Sequence, residues 1–568
     1  VTTTADTVVH HRPPMEVVVP DEPLTEVLRR AVREHPGVVA VDFMGRRTTY
    51  RQLSVQISKA ASALRALGVG HGDRVALVMP NCTSHVVAFW ATLRLGAVVV
   101  EHNPLYSAAA LAHQLADSGA TVALAWSKTV PAVLEAQPST DVRTVVAVDL
   151  ARDLPTKSRA ALRLPVRQAR ETAAKMRGPV PRDVRWWHRL VAAAEPSGIG
   201  TEPASDDLAL LQYTGGTTGT PKGAMITHRN LVANVIQGEA WTGMKPGCET
   251  VYGVLPFFHT FGLTLCVAYA ARIAATLVAF PNFDPDQMLA AMRRRPGTFL
   301  PAVPPMLDRL MDAAERSDAS LTSFRYALSG AMSLPAETAR RWEEMTGGLV
   351  IEGYGMTETS PVALGNPFTP DRRPGALGIP FPSTEIRLAD PDGPLREATP
   401  GATGELLVRG PQVFSGYWNQ PEETACQLLD DGWLRTGDFV RVDDDGYVYL
   451  VDRLKEVIVT GGFKVYPSEV EDHLRGLEGI EDVAVVGVPE PGRGESVVAA
   501  IVLKVGHTVD TVDLAAVRAW GEQRLARYAL PKRLVVLTEL PRSQVGKVLR
   551  RVVRDHVLRR DEAPPPGM

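Results

Sequence analysis

From about residue 74 onward, short apolar runs alternate with longer segments whose apolar residues recur at helical spacing. The runs RVALVMP (74–80), TVALAW (121–126), LALLQY (208–213) and GLVIEGY (348–354) read as buried strands, and residues 84–95 and 335–345 read as helices between them. Strands alternating with helices predict parallel α/β units, so the expected core is a many-stranded sheet covered by helices. Residues 254–280 are the most apolar stretch. His259 and Arg272 cut it into pieces too short for a bilayer, which predicts buried strand and helix. After about Asp452 the elements shorten (VEDHLRG, VAVVGVP, VVAAIVL, then an amphipathic stretch over 512–526), as expected for a separate α+β domain. The predicted organisation is therefore α/β, with a large domain over 1–451, a smaller one over 452–568, and a boundary near residues 452–455. No internal repeat is present, and the final RRDEAPPPGM offers so little to bury that it is expected to be disordered.

A chain of 568 residues, 45% hydrophobic and 22% charged, excludes a peptide hormone, a small module and a disulfide-stapled scaffold. Its formal charge of −3, from 61 basic and 64 acidic residues, supplies no field that would steer it to nucleic acid, and no nucleic-acid partner is expected. Cys82, Cys248, Cys266 and Cys426 are far apart and form no C-x-x-C pair, so a reducing cytoplasmic setting is expected. Residues 1–20 carry no basic region followed by an apolar core, and no export signal is expected there. The charge is unevenly spread. Residues 151–190 hold eleven Lys or Arg against three acids, a local +8 that leaves −11 on the remainder. Leu154, Leu162, Leu164, Val166 and Met176 are interleaved with these charges, and Trp186 and Trp187 follow. The segment reads either as a solvated surface insertion or as a basic amphipathic surface in peripheral contact with an anionic membrane at its inner face.

The richest local signal is Tyr213-Thr-Gly-Gly-Thr-Thr-Gly-Thr-Pro-Lys-Gly223, directly after LALLQY. Glycines leave the backbone N–H groups unobstructed, so they can converge on an anion, and polyphosphate is the natural ligand. The spacing is not that of a Walker A loop, since Lys222 precedes Gly223 and not Ser or Thr. The chain uses Arg 50 times and Lys only 11 times, so a Lys here singles out a compact ammonium. A flexible Gly/Thr turn is the competing reading.

With that loop, several further motifs carry a resemblance: PFFHTFG (256–262), EGYGMTETSP (352–361), GELLVRGPQVFSGYW (404–418), WLRTGDF (433–439), DRLKEVIVTGGFKVYPSEVE (452–471) and PRSQVGKVLRR (541–551). Over roughly residues 25–555 the chain resembles the adenylate-forming superfamily of ATP-dependent, AMP-binding acyl-CoA synthetases, and most of all its long-chain fatty-acid–CoA ligases. The resemblance implies a large adenylate-forming domain and a mobile C-terminal domain that carries a catalytic lysine. It also implies a two-step reaction, in which a carboxylate attacks the α-phosphate of Mg-ATP and the thiol of coenzyme A then displaces AMP. Fatty acid, ATP and CoA are the implied partners and Mg2+ the implied cofactor. Thr214, Gly215, Gly216, Thr217, Thr218 and Lys222 would hold the phosphates that leave. Gly330 and Ala331 would line the adenine pocket with Glu352, Gly353, Tyr354 and Gly355. Thr357 would contact the α-phosphate and Glu358 the metal. Asp438 would accept the ribose hydroxyls, Arg453 would contact ribose or phosphate, and Lys547 would bridge the carboxylate and the α-phosphate.

For the second step the resemblance places a hinge at Lys455 and the pantetheine channel beside Gly461 and Gly462. Val459 stands where luciferases and coumarate-type ligases often have lysine. Residues 255–283 contain no acid, which disfavours an amine-bearing substrate and leaves an apolar acyl chain near His259, Phe261 and Gly262. The alternatives are a fatty acyl-AMP ligase that loads a carrier protein, an aryl or coumarate-type CoA ligase, and a non-catalytic lipid or nucleotide sensor. The oligomeric state stays open, a homodimer among the options.

Overall fold

The computed structural model describes residues 13–196, 198, 202–214, 221–389, 395–397, 401, 403–460, 463–490, 494–543 and 546–562. The chain packs as two compact units, Val1–Glu385 with Arg409–Leu434, and Ile386–Val408 with Arg435–Met568. The second unit begins before the expected boundary at residue 452. It does so because the strand Thr403–Arg409 pairs beside Leu434–Val442, which forms a hairpin with Val448–Arg453.

Two sheets build the first unit. In the seven-stranded sheet, Arg74–Val78, Val98–His102, Val122–Trp126 and Thr144–Val148 are mutually parallel. Leu208–Thr214 joins parallel to Val98–His102 and then turns back into the antiparallel strand Lys222–Thr227. Nearly every side chain of the central strands is buried, as helices on both faces of a parallel sheet require. The nine-stranded sheet runs through Thr276–Ala279, Thr250–Gly253, Phe299–Ala302, Tyr326–Ser329 and Leu349–Gly355, all parallel. Helices Pro285–Met292, Pro304–Arg316 and Ala336–Thr346 cover one face with Met288, Leu307, Leu310 and Trp342, each fully buried. The predicted strands and helices therefore stand within a residue or two of their apolar runs. Residues 254–280 are buried as expected except Pro256, Phe258, His259 and Arg272, which are half-buried, and Leu263–Ala268 within them form a π-helical turn.

The basic segment differs from its amphipathic reading. Leu154 and Trp187 belong to the protein core, at 4% and 3% exposure, so the apolar positions do not share one outward face. The helices Thr156–Ala161 and Arg167–Met176 bury no side chain, and Leu164 and Val166 between them are exposed. Among the described residues no helix is long and apolar enough to cross a membrane.

The second unit holds the five-stranded sheet that contains Leu434–Val442 and another built on the long antiparallel pair Ile480–Glu490 and Gly494–Leu503. One face of that pair packs on helices Pro467–Leu474 and Leu514–Glu522 through Val470, Leu474, Val483 and Val517. The other packs on helix Arg550–Glu562 through Val553 and Val557. That helix runs into the tail expected to be disordered, because these two valines are completely buried; residues 563–568 lie outside the described residues.

Candidate active site

Lys222 begins the return strand of the hairpin, with Thr214 opposite it. Gly215, Gly216, Thr217 and Thr218 lie outside the described residues. The outer edge of the hairpin is extended by residues 415–418: Ser415 N donates to Met225 O, Met225 N to Gly416 O, and Trp418 N to Gly223 O. The chain then enters helix Pro421–Gln427, whose first turn brings Glu423 into an ion pair with Lys222 Nζ. Lys222 is 8% exposed, and its ammonium stands 5.4 Å from the centre of the Tyr417 ring. Tyr417 Oη donates to Glu358 Oε1 at 2.6 Å. Burial, followed by the neighbouring Glu358 carboxylate, raises the Tyr417 pKa and keeps the phenol protonated as a donor. Lys222 and Glu358, 136 positions apart in the chain, are thus joined through one tyrosine.

The strand Leu349–Gly355 carries Glu352, Gly353, Tyr354 and Gly355, and the turn Thr357–Thr359 carries Thr357 and the buried Glu358. Glu352 accepts from Leu334 N at 3.3 Å and from Gly375 N at 2.7 Å, so its carboxylate ties down two loops; burial raises its pKa. Gly330 follows the strand Tyr326–Ser329. A Cβ there would stand 2.9 Å from the Phe261 ring, so the expected adenine-side glycine and the expected acyl-side phenylalanine touch. Ala331 turns the chain with φ of +65°. Gly262 lies so close to Pro256 O, 2.1 Å from an added Cβ, that no side chain fits. His259 Nδ1 accepts from Phe261 N at 3.2 Å, and burial lowers its pKa to about 4. The loop that carries His259 is held by residues that sequence reasoning missed. Asn81 Nδ2 donates to Gly253 O and Leu255 O, Asn81 Oδ1 accepts from Phe257 N, and Gln212 Nε2 donates to Phe258 O.

In the second unit Asp438 and Arg453 face each other across the hairpin, with Arg453 Nε 3.2 Å from Asp438 Oδ1. Lys455 is exposed in the turn that follows. Beside it, Asp452 accepts from Arg453 N at 2.7 Å and from Ser468 N at 2.8 Å, and burial pushes its pKa up to about 6. Arg550 pairs with Glu456 and, at 2.7 Å, with Glu471. Lys547 follows a tight turn in which Gly546 N donates to Ser543 O and Lys547 N to Ser543 Oγ. Gly461 and Gly462 lie outside the described residues.

His102, His228 and His259 each have a pKa lowered to about 4, in every case by burial. In the unfolded chain these rings take up protons near 6.5, whereas in the folded chain they stay neutral down to about 4. Their stabilisation is complete above about pH 6.5 and is lost as the pH falls through that window, at ~1.4 kcal/mol for each tenfold difference in proton affinity between the two states. Asp452, raised from 3.8 to about 6, acts in the opposite sense, as do Glu101, Asp153, Asp308 and Glu352, which burial also raises. Replacing one ring isolates its share: His228→Gln should lessen the loss of urea midpoint between about pH 7 and about pH 5 relative to the unchanged chain, and an unaltered pH dependence would contradict the neutral burial of that ring.

A buried ammonium and a buried carboxylate joined through one tyrosine suit a polyphosphate and its divalent cation. Among the described residues no group of three or more His, Cys, Asp or Glu could hold a metal ion. The sequence profile of the AMP-binding enzyme matches residues 28–418, and that of the AMP-binding enzyme C-terminal domain matches residues 469–547. The chain is 36% identical over 545 residues to a long-chain-fatty-acid–CoA ligase of Bacillus subtilis, covering 95% of each chain. It is 35% identical over 530 residues to a feruloyl-CoA synthase of Amycolatopsis, covering 92% of this chain and 97% of the relative. The crystal structure of ATP-bound MatB from Rhodopseudomonas palustris superposes with a TM-score of 0.80 at 30% identity, covering 94% of this chain and 99% of that one. Fold, motif order and near-complete coverage agree: the chain belongs to the AMP-binding enzyme family.

Proposed function

We propose that the protein is an ATP-dependent fatty-acid–CoA ligase, which converts fatty acid, ATP and CoA into acyl-CoA, AMP and diphosphate through an acyl-adenylate. The observation that carries this reading is the near-complete alignment with a long-chain-fatty-acid–CoA ligase. The array around Lys222 and Glu358 suits the nucleotide half of the chemistry. Thr214 and Lys222, with the loop between them, hold the β- and γ-phosphates that depart as diphosphate. Tyr354 packs against adenine beside Gly330, and Thr357 donates to the α-phosphate. Asp438 accepts from the ribose hydroxyls, and Arg453, its neighbour, contacts the ribose or phosphate. Magnesium fits beside Glu358, a hard oxygen donor, and when bound it neutralises phosphate charge.

The first step brings one anion to another, so its barrier falls when preplaced cations stand where charge accumulates. Lys547 supplies such a cation between the fatty carboxylate and the α-phosphate. In the second step the CoA thiol reaches the adenylate carbonyl past Gly461 and Gly462, after a rotation about Lys455. His259, Phe261 and Gly262 border the acyl chain, and the neutral His259 adds no charge to an apolar channel. The resemblance to a feruloyl-CoA synthase favours one second reading, an aryl-CoA ligase. Diphosphate release over a panel of acids, with and without CoA, separates the two. Decanoate or palmitate should outperform cinnamates by a wide margin, and CoA should be required for steady turnover. A preference for cinnamates would select the second reading, and turnover that needs a carrier protein would select an acyl-AMP ligase.

The exposed Leu164 and Val166, flanked by Arg163, Arg167 and Arg170, suit peripheral contact with an anionic bilayer, from which fatty acids could be drawn. Changing the three arginines to glutamine should reduce binding to phosphatidylglycerol vesicles at low salt. Unchanged binding would leave a plain solvated insertion.

A further inference from the structure

Lys222 is almost completely buried, and a buried ammonium needs a counterion. That counterion is Glu423, a residue 201 positions away. The two side chains are not alike in exposure: that of Lys222 is 10% exposed and that of Glu423 is 38% exposed. Glu423 can therefore turn into water at small cost, whereas Lys222 is held in place by the hairpin and by the face of Tyr417.

We propose that Glu423 is an internal competitor at the phosphate site, its carboxylate occupying on Lys222 the place taken by the terminal phosphates of ATP. This rests on the reading of Lys222 as a phosphate ligand. A triphosphate with its several charges displaces a single carboxylate, but the exchange subtracts the lost ion pair from the binding free energy. The subtraction applies equally to diphosphate, which carries the same two phosphates. After adenylate formation the returning carboxylate displaces diphosphate and so promotes its release. Glu423 thus trades affinity for turnover, and Tyr417 keeps Lys222 aligned in both states.

The test is Glu423→Gln, which retains shape and removes charge, made both in the wild-type protein and beside Lys222→Met. The KM for ATP and the inhibition constant of diphosphate should both fall by about three- to tenfold, with the fatty-acid KM unchanged. A purely structural change would loosen both constants, not tighten them together. Beside Lys222→Met, the Glu423 substitution should have no effect, because the partner it competes for is gone. If Lys222→Met weakens ATP binding while Glu423→Gln leaves both constants unchanged or raises them, the role of Glu423 is overturned and that of Lys222 stands. If Lys222→Met leaves both constants unchanged, the phosphate role of Lys222 fails, and the proposal with it.

Discussion

Lys547→Ala is expected to slow acyl-adenylate formation by about 100- to 1000-fold, the scale on which loss of one preplaced charge acts in a transition state. Thioester formation from synthetic acyl-adenylate and CoA should persist near the wild-type rate. The asymmetry follows from chemistry. Only the first step joins two anions, and the thiol attacks a carbonyl that carries no net charge. Lys547 follows a turn closed by Ser543, whose hydroxyl accepts from the Lys547 amide at 3.1 Å, so shortening the side chain leaves the backbone bond in place. Single-turnover assays of the two half-reactions provide the check. Equal loss in both would place Lys547 in folding or in binding common to both steps.

Glu358→Gln should lower adenylate formation by about 10- to 100-fold and shift the magnesium requirement upward, since an amide is a weaker ligand for a hard cation. The variant is close to isosteric, and its amide oxygen can still accept from Tyr417 Oη, now 2.6 Å from the carboxylate. It therefore removes charge with little disturbance of packing. Titrating magnesium at fixed ATP gives the result. A loss that does not depend on magnesium concentration would assign Glu358 to holding Tyr417 alone.

Elements made of contiguous residues were readable from the sequence. GLVIEGY predicts a strand that the structure places at Leu349–Gly355, because a parallel strand covered on both faces is apolar almost throughout. The Gly/Thr segment and its lysine stand out in the sequence because they fall within eleven adjacent positions, and their phosphate role belongs to the proposed function. What could not be read depends on pairing across the chain. Glu423 meets Lys222 only because residues 415–418 add to the edge of the hairpin, and no local pattern encodes that register. The SGYW run offered a faint signal for Tyr417, but nothing in it points to Glu358. Asn81 and Gln212 reach the His259 loop from the other sheet, which spacing cannot reveal.

Periodicity misleads where a helix or loop has protein on one side and solvent on another. Leu154 and Trp187 read as part of an apolar outer face, yet both are core residues. The division of the chain fell at residue 452 in the sequence because the change in element length is visible there. The strands of 386–408 and 434–453 resemble those before them, and only their mutual pairing assigns them to the second unit.

The most direct experiment is exchange of labelled diphosphate into ATP by the purified protein with magnesium and palmitate, in the absence of CoA. Label should enter ATP only when the fatty acid is present, and its rate should fall by about 10- to 100-fold with Lys222→Met. Absence of exchange with palmitate and every other acid tried, while the protein is folded and binds ATP, would mean that it does not activate carboxylates as adenylates.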